Sequence, residues 1–229
     1  MNRTVVHTYE IPDCEGRRYA IGDVHGCFYT LKKLLDSISL SKSDMVFLLG
    51  DMINRGKRSR EVIDYIILMR SKGFQIHPIR GNHEHFILSL LEKNDELSQK
   101  TIKMMHLDFL LQETLHYKTF FENLPFYLKI KNCYLVHAGF NSSNYPLDDF
   151  ESMLTTRYFS PNMSFFDTNK IIHGHTPITM FEIMKMVERQ SDAINIDNGC
   201  ALGDKTPGKG NLVCINIDTL DLKFEKNID

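Results

Sequence analysis

The sequence predicts an α/β fold: two mixed β-sheets packed as a sandwich, with helices on the outside. Three observations carry this expectation. Residues 18–79 alternate short apolar runs with amphipathic stretches at helical spacing, a βαβαβ pattern. A tract over about residues 84–121 is rich in Leu, Met and Phe and lacks strand signals. After residue 126 the apolar runs return at short intervals, the first two separated only by Lys131-Asn132, which reads as a tight hairpin turn.

Taken in order, Arg18-Tyr19-Ala20-Ile21 runs straight into Gly22 as a short buried strand would. Phe28, Leu31, Leu34, Leu35 and Ile38 recur with the period of a helix that buries one face. Met45 to Leu49 reads as a second buried strand, and Val62, Ile63, Ile66, Ile67 and Met69 mark a helix over about 59–71 that stops at Gly73. Gln75 to Ile79 is the third strand. The tract at 84–121 is expected to be a helical insertion beside or over a site. Later strands are expected over Phe126–Ile130, Cys133–Val136, Lys170–Ile172, Ala193–Ile196, Leu212–Ile217 and Asp221–Phe224. Without a repeat, a low-complexity tract or a linker, residues 1–229 are expected to form a single domain.

Composition excludes several functions. The chain has 229 residues, 42% of them hydrophobic and 24% charged, enough to bury a core without disulfide or metal staples. Twenty-seven basic against 29 acidic side chains leave a formal charge of −2, no footprint for nucleic acid. No run approaches the roughly 18 apolar residues of a membrane span, and the start lacks the apolar centre of a signal peptide. The five cysteines are an odd number without a CxxC, which argues against a disulfide framework and for a reducing, cytoplasmic setting. Cys27 stands beside the first motif and would make activity oxidant-sensitive if its thiol were exposed. Met104, Met105, Met180, Met184 and Met186 read as adaptable packing. Lys205 to Gly210 (KTPGKG) lacks the spacing of a phosphate-binding Walker loop.

The polar residues cluster where the apolar runs end. Gly22-Asp23-Val24-His25-Gly26, Gly50-Asp51-Met52-Ile53-Asn54-Arg55-Gly56, Gly81-Asn82-His83-Glu84, His137-Ala138-Gly139 and His173-Gly174-His175-Thr176 each follow a strand-like segment. Strand C-termini are where α/β folds gather loops around a ligand. Asp23, His25, Asp51, Asn82, His137 and His175 together offer mixed nitrogen and oxygen donors, suited to Mn²⁺, Fe or Zn²⁺. Two ions bridged by Asp51 would retain positive charge with which to clamp a phosphate and acidify a water. Arg55 and Arg80 can hold phosphoryl oxygens through their planar forks. His83 can protonate a leaving oxygen. His7, His77, His85, His106 and His116 carry no such context and read as ordinary core or surface residues.

As a set, GDVHG, GDMINRG, RGNHE, HAG and GHT resemble the signature of the phosphoprotein phosphatase family of metallophosphoesterases, over about residues 21–176. The short length and the tail INIDNGCALG resemble its small bacterial and phage serine/threonine members, for which no regulatory subunit is implied. The resemblance implies a calcineurin-like metallophosphoesterase fold with a dinuclear site, with Mn²⁺ the expected ion. It implies Asp23 and His25 on the first metal, Asp51 bridging, and Asn82, His137 and His175 on the second. It makes His83 the catalytic histidine and Arg55 and Arg80 phosphate-binding. Arg157, the only arginine between His137 and His175, takes the family's third arginine position. His173 is expected to support the ligands from behind. The implied reaction is direct attack of a metal-bridging hydroxide on phosphorus, without a phosphoenzyme.

One departure bears on substrate. The family usually reads GDxxDRG, with an aspartate that pairs with the catalytic histidine and favours its protonated form. Here Asn54 stands in that place; it is expected to accept a hydrogen bond from His83 but brings no charge. A weaker general acid handicaps alkoxide leaving groups such as serine more than aryl phosphates or polyphosphates. The resemblance puts a phosphorylated protein or peptide, or a small phosphomonoester, first among substrates. A nucleoside polyphosphate comes second, since hydrolases of diadenosine tetraphosphate often lack that aspartate too. An inactive phosphoprotein-binding module is the alternative from another class, favoured only if metal binds without hydrolysis.

Overall fold

In the computed structural model, residues 8–141, 146–166 and 170–229 are described, and His7 lies outside them. Among the described residues, ten strands form two five-stranded sheets. The first sheet has β2 (Arg18–Ile21), β3 (Met45–Leu48) and β4 (Gln75–Pro78) side by side and parallel. β9 (Asn211–Asn216) pairs antiparallel with β2, and β10 (Leu222–Lys226) pairs antiparallel with β9 at the edge. The second sheet carries β1 (Thr8–Glu10), β5 (Tyr127–Ile130), β6 (Cys133–Val136), β7 (Lys170–His173) and β8 (Ala193–Asn195) in that order. β5 and β6 are the antiparallel hairpin that Lys131-Asn132 announces, with Lys131 at φ 47°, while β6, β7 and β8 run parallel.

Alternation along each strand assigns the layers. On β2 and β3, Tyr19, Ile21, Val46 and Leu48 face helices α1 (Phe28–Ser37) and α2 (Ser59–Ser71). Ala20, Met45 and Phe47 face inward, against Leu128, Ile130, Leu135, Ile172 and Ile194 of the second sheet. Tyr134 and Val136, one residue out of phase, point outward to Met153 and Leu154 of α7 (Phe150–Thr155). Burying an aromatic such as Phe47 between the sheets contributes about 1.5–3 kcal/mol.

The insertion is four helices, α3 (Asn82–Lys93), α4 (Glu96–Met104), α5 (Phe109–Gln112) and α6 (Thr114–Glu122). Their buried Ile87, Leu91, Ile102, Leu110, Tyr117 and Phe121 join the core of the first sheet. Three elements went unanticipated: β1, α7 and α8 (Met180–Glu188). β1 is a three-residue edge strand cut short by Pro12 and too brief to show a period. α8 is launched by a capping box in which Thr179 and Glu182 satisfy one another's backbone N–H. Its Met180 and Met186 pack on the inter-sheet core, while Met184 is exposed. Cys27, Cys133, Cys200 and Cys214 are buried and all five cysteines are free, so Cys27 lacks the exposure that oxidant sensitivity requires.

Asp44 ties the entry of β3 to that of β2. Its carboxylate, almost fully buried, accepts hydrogen bonds from Arg17 N (2.8 Å), Nε (3.2 Å) and Nη2 (2.7 Å) and from Ser41 N (2.9 Å). Burial pushes this carboxyl up, but the Arg17 and Ser41 bonds outweigh it and hold Asp44 well below the usual carboxylate range. A depressed folded value gives stability that is present above the unfolded carboxylate value of about 3.9 and is lost as pH falls through the folded one. Asp44→Asn is expected to cost about 1–2 kcal/mol at neutral pH, Arg17 being half exposed. Denaturant melts below about pH 4 should bring parent and variant together; a constant gap across that range would contradict the assignment.

Candidate active site

Six strands, β2, β3 and β4 of one sheet and β6, β7 and β8 of the other, run toward the same end of the sandwich. Asp23, Asp51, Asn82, His137, His175 and Asp197 therefore all sit just beyond strand C-termini and face one another. The backbone there is strained. His25 (φ 46°), Asp51 (φ 46°), Asn54 (φ 70°), Arg55 (φ 67°) and His175 (φ 74°) all lie in the left-handed region that side chains avoid. Gly81 is needed where the loops touch, since a Cβ there would collide with the backbone nitrogen and Oδ1 of Asp51.

Asp51 is the hub. Its Oδ2 lies 3.5 Å from His25 Nε2, 3.5 Å from His137 Nε2 and 3.8 Å from His83 Nε2. Its Oδ1 accepts the His83 backbone N–H at 3.0 Å. Asp23 Oδ2 is 4.0 Å from His25 Nε2, and Asp23 Oδ1 accepts the His175 N–H at 3.2 Å. Asn82 Oδ1 lies 3.0 Å from His137 Nε2 and 3.1 Å from His175 Nδ1, and those two ring nitrogens are 3.1 Å apart. These distances bring all six residues in which the sequence suggested metal ligands into one cluster, with Asp51 shared between its halves.

The donor set fits cations. His25 Nδ1 and His137 Nδ1 donate to the carbonyls of Ile53 (3.0 Å) and Leu49 (2.8 Å). Those bonds assign the protons to Nδ1 and turn the Nε2 lone pairs toward the Asp51 carboxylate and Asn82 Oδ1. Lone pairs aimed at lone pairs repel unless a positive ion stands among them. Asp23 Oδ2 and His175 Nε2 are also buried without a hydrogen-bond partner. Burial pushes the Asp51 carboxyl up to about 7 and drives His137 and His175 down to about 4, so the imidazoles are neutral, which is the ligating form.

Two acids here lay outside the predicted site. Glu84, fully buried, accepts four backbone N–H bonds: Asp51 (2.8 Å) and Gly81 (3.0 Å) on Oε2, and Met52 (2.8 Å) and Ile53 (3.3 Å) on Oε1. Burial and the Asp51 charge push its carboxyl up and the N–H donors pull it back; with two donors on each oxygen, the carboxylate is the form that fits. Asp197, beyond β8, accepts the Gly199 N–H at 2.7 Å, and its charge raises the Asp23 carboxyl after burial has done so. Its signal was present in Asp197-Asn198-Gly199, an apolar run ending in a polar residue and a glycine.

Asn54 is oriented opposite to expectation. Its Oδ1 accepts the Arg55 backbone N–H at 2.8 Å, which leaves Nδ2 to face His83 Nδ1 at 2.8 Å. The amide therefore donates to His83, and the histidine carries its proton on Nε2. Burial and the charge of Arg55 lower His83 to about 4. Arg55 and Arg157 are exposed at the mouth, and both depress the titration of His175 after burial and His137 have done so.

Arg80 corrects an expectation. It is buried, gives Nη2 to the carbonyls of Phe121 (3.0 Å) and Glu122 (2.9 Å), and lies 4.8 Å over the Phe126 ring. It anchors the end of α6 and is not held out toward a phosphate. His173 stands behind His137 and His175, edge-on to Phe159 at 5.4 Å. His77, which stacks on Phe47, and His85, His106 and His116 stay outside the cluster.

With this geometry in hand, comparison with known proteins is decisive on family. The sequence profile described as calcineurin-like phosphoesterase matches residues 16–202. The chain belongs to that family. A symmetrical bis(5'-nucleosyl)-tetraphosphatase of Buchnera aphidicola is 35% identical over 99 residues, 41% of this chain and 34% of that protein. The matched segment thus spans about a third of the relative's length. A structure bearing the provisional name diadenosine tetraphosphatase superposes with TM-score 0.67 at 21% identity, covering 96% of this chain and 97% of that one. A protein serine/threonine phosphatase of Saccharomyces cerevisiae gives 0.68 at 16% identity over 98% and 84%. At such identities the two structures establish the fold, a calcineurin-like sandwich of two mixed sheets flanked by helices. No helix among the described residues is long and apolar enough to cross a membrane.

Glu84→Ala would leave four N–H groups of the metal loops unsatisfied. We expect a loss of at least about 2 kcal/mol in a denaturant melt and roughly 10–100-fold weaker Mn²⁺ binding by calorimetric titration. Unchanged metal affinity would show that Glu84 does not position the ligands.

Proposed function

We propose that this chain is a metal-dependent phosphoesterase that cleaves the phosphoanhydride chain of a nucleoside polyphosphate such as diadenosine tetraphosphate. The observation that carries the choice of substrate is the bond from Asn54 Nδ2 to His83 Nδ1. An amide donor at Nδ1 opposes a second ring proton, so His83 offers only a neutral N–H at Nε2. That group can hydrogen-bond a departing oxygen but is a poor proton donor. A departing phosphate, whose own second ionisation lies near about 6, leaves without a proton. A serine alkoxide, far closer in basicity to hydroxide (water ionises at about 15.7), does not. The name of the Buchnera relative points to the same substrate class. A phosphorylated protein, the substrate that the sequence motifs put first, gives way to it, because the likeness to the yeast phosphatase is one of fold.

Asp23, His25 and Asp51 would hold one divalent ion and Asp51, Asn82, His137 and His175 a second, with Mn²⁺ the expected occupant and Fe or Zn²⁺ compatible with the same donors. Such ions supply Lewis acidity toward phosphoryl oxygens and an acidified water. Arg55 and Arg157, exposed at the mouth, bind the phosphate chain and oppose its charge as the transition state forms. His83 directs Nε2–H toward the leaving oxygen. Asp197 and Glu84 hold the loops that carry these groups. Because both sheets contribute residues, the chain works as one catalytic unit.

Initial rates on Mn²⁺-loaded protein, with diadenosine tetraphosphate and a phosphoserine peptide, test the reading. A higher kcat/KM on the dinucleotide is expected, and a preference for the peptide would reverse the assignment. His83→Asn should lower kcat on the dinucleotide about 10²-fold, the low end for removing an acid–base group. Asn54→Asp places a carboxylate against Nδ1 and raises the His83 value. It should improve kcat/KM on phosphoserine at least about tenfold relative to the dinucleotide. No movement in that ratio would refute the role given to Asn54.

A further inference from the structure

We propose that Phe86 and Tyr158 are stacking platforms for the nucleobases of the substrate, one on the His83 side of the phosphate site and one on the His175 side. This rests on the nucleoside-polyphosphate reading. The two arginines and the metal cluster recognise only phosphate and would take an inorganic chain as readily as a nucleotide. Discrimination requires faces that bind bases.

Phe86 lies on α3, one turn beyond His83. Residues three apart share a helix face, and helical side chains lean back toward the N-terminus, so Phe86 covers the turn that carries His83. Its neighbours Ile87, Leu88, Leu90 and Leu91 are buried in the core, whereas Phe86 is 46% exposed. Tyr158 is 96% exposed and directly follows Arg157. Its segment is fixed against the site from both sides. The Phe159 ring meets His173 at 5.4 Å and Phe140 at 6.1 Å, and it fills the space that a side chain at Gly139 would need. On the other side, the Ala138 backbone N–H donates to the Met153 carbonyl at 2.8 Å, tying α7, which leads into Arg157, to the loop after β6. A phosphate chain held by Arg157 and Arg55 would thus carry its nucleosides toward an open aromatic ring at either side. Every base presents a π-face, so such platforms bind nucleosides without strict base specificity.

The chain contains no tryptophan, so Tyr158→Trp and Phe86→Trp each introduce a lone fluorescent reporter. Diadenosine tetraphosphate is expected to quench both reporters and inorganic tripolyphosphate neither. In Mn²⁺-loaded protein, Tyr158→Ala and Phe86→Ala should each raise KM for the dinucleotide at least about fivefold more than KM for tripolyphosphate. Tyr158→Phe should recover the parent ratio. Tyr158 buries almost nothing, so its replacement leaves the core intact. Equal KM shifts on both substrates, or equal quenching by both, would overturn the stacking assignment while dinucleotide hydrolysis by the unaltered chain left the activity standing. Failure of the unaltered chain to hydrolyse the dinucleotide would remove both.

Discussion

Four backbone N–H groups converge on the buried carboxylate of Glu84, and the geometry of the site depends on that convergence. Three belong to the loop after β3 and one to the loop after β4, so a single side chain joins two strand ends. Asp51 and Asn54 can stay in left-handed conformations because their loop has no freedom to relax. The same clamp draws Gly81 so close to Asp51 that no larger residue fits, and it sets Asn82 and His83 at the first turn of α3. A single buried acid thereby fixes both a candidate ligand loop and His83.

Electrostatics then makes the site a receptor for cations. Asp23, Asp51, Glu84 and Asp197 are all buried within one loop cluster, and their mutual repulsion raises Asp23 and Glu84 beyond the effect of burial alone. The nearby Arg55, being exposed, offsets this only in part. Two of the histidines spend their Nδ1 protons on backbone carbonyls, which costs nothing in the folded chain and leaves their lone pairs directed inward. The protein has accepted repulsion and backbone strain at one end of an otherwise well-packed sandwich. Divalent ions would relieve the repulsion, which makes metal binding and local stability the same quantity here.

Much of this was legible in the sequence, for a physical reason. Parallel strands buried on both faces show as unbroken apolar runs, and a polar residue beside a glycine at the end of such a run has few other uses. That logic located all six candidate ligands, His83 and Arg55, whereas Arg157 came from the family resemblance alone. Asp197 stands in the INIDNGCALG segment, but a single acid after a strand carries no local sign that it will face Asp23 from the other sheet. The same logic placed Glu84 at the start of the insertion and overlooked that a helix's first turn can reach back to N–H groups of another loop. Arg80 was misjudged because side-chain direction depends on α6, whose end supplies the carbonyls that capture the guanidinium. β1 has only three residues and takes its conformation from β5, a nonlocal partner that no local pattern reveals.

The orientation of Asn54 shows how one atom exchange redirects chemistry within a conserved-looking frame. With a carboxylate in this position, either oxygen could accept from His83 and the pair would share a proton. With an amide, the Arg55 N–H claims the oxygen and only the NH₂ group remains for the imidazole. The sign of the hydrogen bond at Nδ1 is thereby reversed, and with it the form of the histidine that is stabilised. Nothing in the metal cluster need change, because Asn54 is not among its ligands. In the proposed reaction the consequence falls on the leaving-group side, where a phosphoanhydride and an alkyl ester differ most. Two proteins with the same fold and the same donor set can therefore part company over substrate through a residue that touches neither metal nor phosphate.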